Sequence, residues 1–94
     1  MTRKAICAKE TLVDGKFISG LAVIIENGSI VELLDIGQVS KDTKIDHYSD
    51  SVLVPGFVDI QVNGGGGVLF NDNPSVSTIE KIGSAHRKYG TTSF

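Results

Sequence analysis

The sequence predicts an α/β protein in two parts, with β-hairpins up to Val54 and the opening of a parallel βα repeat from Pro55 onward. Three observations carry that reading. Two turn dipeptides, Asp14-Gly15 and Asn27-Gly28, separate short apolar runs, which is the pattern of antiparallel hairpins. A largely apolar stretch, Phe57 to Val62 (FVDIQV), runs into four consecutive glycines, 64–67. After it, Val76, Ile79, Ile82, His86 and Tyr89 recur at spacings of three and four, one stripe of an amphipathic helix. The domain boundaries that follow are 1–54 and 55–94.

Taken in order, the first strand is expected around Ala5 to Ala8. Asp14-Gly15 then turns Thr11-Leu12-Val13 back onto Lys16-Phe17-Ile18. The clearest hairpin is LAVII-ENGS-IVELL, because Asn-Gly tolerates the positive φ angles of a type I′ turn. Residues 37–51 (GQVSKDTKIDHYSDS) are polar and read as a loop, with a short strand at Ser51–Val54. Pro55-Gly56 changes the chain direction. FVDIQV is apolar enough for a buried, parallel-type strand. A helix is expected from Pro74 to Tyr89, capped by Asn73, with proline at the first position where it loses no helical bond. Gly90 suits the residue that ends it. Thr91-Thr92-Ser93 has β-propensity. Strand, glycine loop, helix and strand form a βαβ unit, yet a parallel sheet is covered on both faces. The chain therefore reads as the front end of a larger α/β protein, the alternative being a self-contained α+β domain.

Composition narrows the function. With 94 residues the chain suffices for one small domain, and 40% hydrophobic with 21% charged residues is ordinary for a globular protein. A net charge of −2 without a basic block argues against nucleic acid or an anionic membrane surface as partner. No apolar run reaches membrane-spanning length. The single cysteine, Cys7, makes no internal disulfide, and MTRKAICAKETLV lacks the apolar core of a signal peptide. A cytoplasmic location is expected.

The glycines raise the question of a phosphate cradle. A dinucleotide fingerprint needs Gly-x-Gly-x-x-Gly, and the third glycine would fall on Leu69 or Phe70. A P-loop needs Gly-Lys-Ser/Thr, which does not follow. A tight loop whose backbone packs close to something is the plainer reading. The carboxamides beside it are more informative. If 57–63 is a strand, Asp59, Gln61 and Asn63 share one face and Val58, Ile60 and Val62 the other. Polar groups on one face of a buried strand are costly unless hydrogen-bonded or lining a polar cavity. In a (β/α)8 barrel the C-terminal strand ends form the active site. Gln61 and Asn63 are therefore candidate substrate-binding residues, with a ligand-free polar network as the alternative.

PGFVDIQVNGGGGVLFND (Pro55 to Asp72) resembles the first barrel strand and loop of N-acetylglucosamine-6-phosphate deacetylases, of the amidohydrolase superfamily. The superfamily pattern is Pro-Gly-hydrophobic-hydrophobic-Asp-x-His-x-His. Pro55, Gly56, Phe57, Val58 and Asp59 match it, while Gln61 and Asn63 take the two histidine places. AVIIENGSIVEL is similar to the family's N-terminal strands, and KYGTTSF to the entry into its second barrel strand. The resemblance implies a small N-terminal β-sandwich portion (1–54), followed by the first βα unit of an amidohydrolase barrel (55–94).

It also implies an activity, hydrolysis of N-acetylglucosamine 6-phosphate to glucosamine 6-phosphate and acetate in amino-sugar catabolism. Two histidines at i and i+2 would bind a metal, whereas carboxamide oxygens are weaker donors. The resemblance thus implies one divalent metal ion, zinc or similar, held by a Glu and two His of later strands, with a later Asp as general base. None of these lies within the 94 residues, so the chain alone is expected to be inactive and to hold no metal. His47 and His86 match no family ligand and read as surface or packing residues. The expected partners are the amino-sugar phosphate and, as a homo-oligomer, further copies. A different amidohydrolase acting on a cyclic amide, and a non-catalytic β-rich binding module, are the alternatives.

Overall fold

Residues 3–94 are described by a computed structural model. Met1 and Thr2, the first positions of the expected strand-rich segment, lie outside the described residues. Among the described residues the structure is mostly β-strand with one α-helix, and the chain divides after Pro55 into two units.

The first unit is a five-stranded sheet. β1 (Arg3–Val13) is its long central strand. β2 (Lys16–Ile18) folds back on its end and β3 (Leu21–Glu26) on its beginning, both antiparallel. β4 (Ser29–Asp35) pairs antiparallel with β3. Both turn dipeptides act as the sequence predicts. Asp14 and Gly15 have φ of 50° and 78°, and Asn27 and Gly28 have 52° and 79°, the paired positive values of a type I′ turn.

β5 (Lys44–Leu53) corrects the sequence reading twice. Its last residues fall in the short strand expected at Ser51–Val54, but the strand begins at Lys44, within the expected loop, and it runs parallel to β1, not antiparallel. The cause is its position. An edge strand has one neighbour and needs few apolar residues, so KIDHYSDSVL keeps its polar groups in water. Only Ile45 reaches the core, opposite Ala5.

That core is small. Ala5, Ala22 and Ile24 are fully buried, with Leu34, Ile36, Val39 and Ile45 packed against them. Register explains the grouping, since Ala5 sits opposite both Ile24 and Ile45, and Ala22 opposite Leu34. A short 3-10 turn, Ile36–Gln38, closes over this face and is anchored by the Ile36 N–H donating to Gly20 O at 2.8 Å. At the end of the sheet Arg3 pairs with Glu26 (3.7 Å) and Glu32. These are half-exposed ion pairs of small energetic weight.

The second unit begins with β6 (Phe57–Val58), which pairs in parallel with β9 (Thr91–Ser93). The expected parallel pairing is present, but the expected buried strand over 57–62 is not. The pairing ends with Asp59 N–H donating to Ser93 O. Asp59 Oδ1 then accepts from the Gln61 N–H at 3.1 Å, a side-chain turn that draws the backbone out of strand geometry. Phe57 and Val58 are exposed, and Ile60 is 96% exposed.

The glycines form a hairpin, with β7 (Gly64–Gly65) antiparallel to β8 (Val68–Leu69). A 3-10 turn, Phe70–Asp72, leads to α1 (Val76–Arg87). The helix cap is Ser75, not Asn73. Ser75 Oγ accepts from the Thr78 N–H at 3.2 Å and the Ser75 carbonyl accepts from the Ile79 N–H at 3.1 Å; Asn73 belongs to the preceding 3-10 turn, its N–H donating to Phe70 O. Pro74 accordingly precedes the cap. The helix ends at Arg87 with Lys88 as its C-cap, short of Tyr89. Ile82 carries the apolar stripe into the interior with Thr78 and Gly83, whereas Val76 and Tyr89 at its ends face solvent. No helix among the described residues is long and apolar enough to cross a membrane.

Candidate functional site

The candidate site lies in the second unit, where β6 gives way to the glycine hairpin. Gln61 and Asn63 are both exposed and belong to no strand. Their alternation across a buried strand therefore does not hold. What places them is a turn and a tether. Gln61 is set by its N–H bond to Asp59 Oδ1. Asn63 sits at the base of the hairpin, its carbonyl accepting from the Phe70 N–H at 2.9 Å. Each side chain presents one donor group and one acceptor to solvent.

The run of glycines has a steric cause. Gly66 and Gly67 have φ of 62° and 82° and make the two-residue turn. At Gly64 a Cβ would collide with the Val68 carbonyl oxygen and the Leu69 side chain. At Gly65 it would stand 3.0 Å from His86 Nε2, and at Gly66 3.3 Å from the Lys81 carbonyl oxygen. The loop packs close to something, as its composition suggests, and that something is helix α1.

His86 is the residue that sequence reasoning left aside as packing. Its Nε2 lies 3.0 Å from Gly64 O. Nothing in the sequence marks this contact, because the partners are 22 residues apart and no spacing rule links them. His47 stands exposed on β5, in the first unit. Among the described residues no three His, Cys, Asp or Glu side chains come together. With carboxamides at 61 and 63, the donors among the described residues do not assemble into a metal centre. A cleft of about 310 Å³ opens beside the hairpin, bounded by Gly67–Leu69, Asp72, Asn73 and the helix residues Ser77, Thr78 and Lys81. Neither Gln61 nor Asn63 lines it.

Two sequence relatives and a structural neighbour of the chain are amino-sugar-phosphate deacetylases. It is 35% identical over 85 residues to N-acetylgalactosamine-6-phosphate deacetylase of Shewanella sp. (strain ANA-3), a match covering 88% of this chain and 22% of that protein. It is 45% identical over 75 residues to N-acetylglucosamine-6-phosphate deacetylase of Haemophilus influenzae, covering 78% and 19%. The crystal structure of N-acetylglucosamine-6-phosphate deacetylase from Pasteurella multocida superposes with a TM-score of 0.83 at 28% identity, over 96% of this chain and 24% of that one. The chain thus spans about a fifth to a quarter of the length of these proteins. No protein-family model matches it.

Proposed function

We propose that the chain is the first part of an N-acetylglucosamine-6-phosphate deacetylase, which hydrolyses the acetamide to glucosamine 6-phosphate and acetate in amino-sugar catabolism. The observation that carries this is the 45% identity to the Haemophilus influenzae enzyme over 78% of the chain. In this reading the unit ending at Pro55 is a portion of a small β-sandwich. The unit from Gly56 is the opening of a (β/α)8 barrel, with β6 and β9 as neighbouring parallel strands and α1 between them in sequence. The parallel register of Phe57 with Thr91 supports that assignment.

The longer match to the Shewanella enzyme favours a second reading, in which the galacto epimer is the substrate. Acetate release by the complete enzyme from both epimers separates them. A higher kcat/KM for N-acetylglucosamine 6-phosphate supports the first reading, and the reverse order supports the second. No observation favours a cyclic amide or a non-catalytic module.

The chain's own contribution is binding and orientation. Gln61 and Asn63 can each donate and accept without changing charge across physiological pH, so they can hold a substrate group or a water at the start of the loop. The divalent metal that the family resemblance implies would come from residues outside this chain, as would the general base. Replacing both Gln61 and Asn63 with alanine is expected to lower turnover while leaving bound metal in place. Losing one such hydrogen bond costs about 0.5–1.5 kcal/mol, or roughly two- to tenfold in rate per bond made at the transition state. Metal content and acetate release measured on one sample decide it. Loss of metal would make the two residues ligands, and unchanged turnover would remove them from the site.

A single barrel strand with one short partner leaves apolar surface and backbone edges open, and such edges recruit other chains. Phe57, Val58 and Ile60 are exposed in this way. The 94-residue chain by itself is therefore expected to associate in light-scattering measurements; a homo-oligomeric complete enzyme is a separate proposal, because there the rest of the barrel would pair these edges. A dilute monomer with a sharp thermal transition would contradict the first expectation.

A further inference from the structure

We infer that His86 is a positioning residue that fixes the main chain at Asn63 by tethering the glycine hairpin to helix α1; its consequence for turnover rests on the deacetylase reading. His86 is half-buried in the last turn of α1, with its ring 6.4 Å from that of Phe94. The carbonyl of Gly64 can only accept, so the ring nitrogen facing it, Nε2 at 3.0 Å, carries the proton and donates. Asn63 is then held from two sides. Its own carbonyl accepts from the Phe70 N–H, and the next carbonyl in the chain accepts from His86.

The need for such a tether follows from the loop itself. Glycine has the widest conformational range of any residue, and residues 64–67 are four in succession. A carboxamide at the end of such a segment would sample many positions unless the segment were anchored. The glycines make the anchor possible, because a side chain at Gly65 would reach within 3.0 Å of His86 Nε2 and obstruct it. Loop and helix are thus matched to each other. The glycine run lets the hairpin approach, and His86 removes the freedom that the run introduces.

Two substitutions separate tethering from filling space. His86→Leu fills the volume without a donor, and His86→Gln restores an N–H at similar reach. Hydrogen–deuterium exchange over residues 59–70 of the complete protein is expected to rise in His86→Leu and to stay near wild type in His86→Gln. In acetate release, kcat/KM is expected to fall roughly tenfold in His86→Leu, the weight of one well-placed hydrogen bond, and to recover to within about threefold in His86→Gln. Identical exchange in the two variants overturns the inference. So does a raised exchange in His86→Leu together with unaltered kcat/KM, because the loop would then not position the site. If wild-type protein releases no acetate from either epimer, the deacetylase reading fails by itself, and the exchange difference still supports or refutes the tether.

Discussion

Gly64→Val is expected to reduce acetate release by the complete enzyme roughly a hundredfold, the scale of loss that follows when a site is displaced by about an ångström. A Cβ at this position would collide with the Val68 carbonyl oxygen and stand 2.8 Å from Leu69 Cδ2. The first obstacle is backbone of the paired strand and cannot swing aside. The Gly64–Leu69 pairing must open, and Asn63 at the base of the hairpin moves with it. Gly37→Ala is the control, since nothing lies within 4 Å of a Cβ there. A comparison of kcat/KM for the two variants checks the expectation. A Gly64→Val enzyme within threefold of wild type would show that the hairpin does not shape the site.

The second large effect is on stability. Ile24→Ala is expected to destabilise the first unit by about 3 kcal/mol, within the range for truncating a buried aliphatic side chain. Ile24 is the only large side chain among the three fully buried members of this core, the others being Ala5 and Ala22. Alanines cannot swing into a cavity, so collapse around it has to come from Leu34, Ile36, Val39 and Ile45. Domains hold roughly 0.05–0.15 kcal/mol per residue of net stability, so a unit of this size would lose a large share. Urea unfolding of the complete protein, followed on the first unit, measures the shift. Ile24→Val should cost about 1 kcal/mol, and equal midpoints for the alanine and valine variants would contradict the assigned core.

How far the sequence revealed this depends on whether the determinant is local. The hairpins at Asp14-Gly15 and Asn27-Gly28 are legible because the turn itself demands residues that accept positive φ. The helix is legible from its period, but its start is not. Asn73 is as good a cap as Ser75 in isolation, and the structure shows Ser75 taking the role, its side chain accepting from the Thr78 N–H and its carbonyl from the Ile79 N–H. β5 is illegible because an edge strand needs little hydrophobicity, and its parallel pairing with β1 is a matter of topology. FVDIQV reads as buried because it is apolar, yet only Phe57 and Val58 are paired, and the Asp59 side chain turns the backbone at Gln61.

The candidate site divides in the same way. That the glycines mark a close approach is readable from their number. That the approach is to His86 and Lys81 is not, because both contacts join positions distant in sequence. The strand alternation that points to Gln61 and Asn63 is not kept by the backbone, whereas their match to the two histidine places of the superfamily pattern does not depend on it. Their chemistry and their place at the base of the hairpin stand independently of it.

The central claim is tested most directly by incubating the complete protein with N-acetylglucosamine 6-phosphate and measuring acetate and free primary amine together. A deacetylase releases the two in equal amounts, with the amine recovered as glucosamine 6-phosphate. Neither product above the uncatalysed background, from a folded sample supplied with divalent metal, would contradict it.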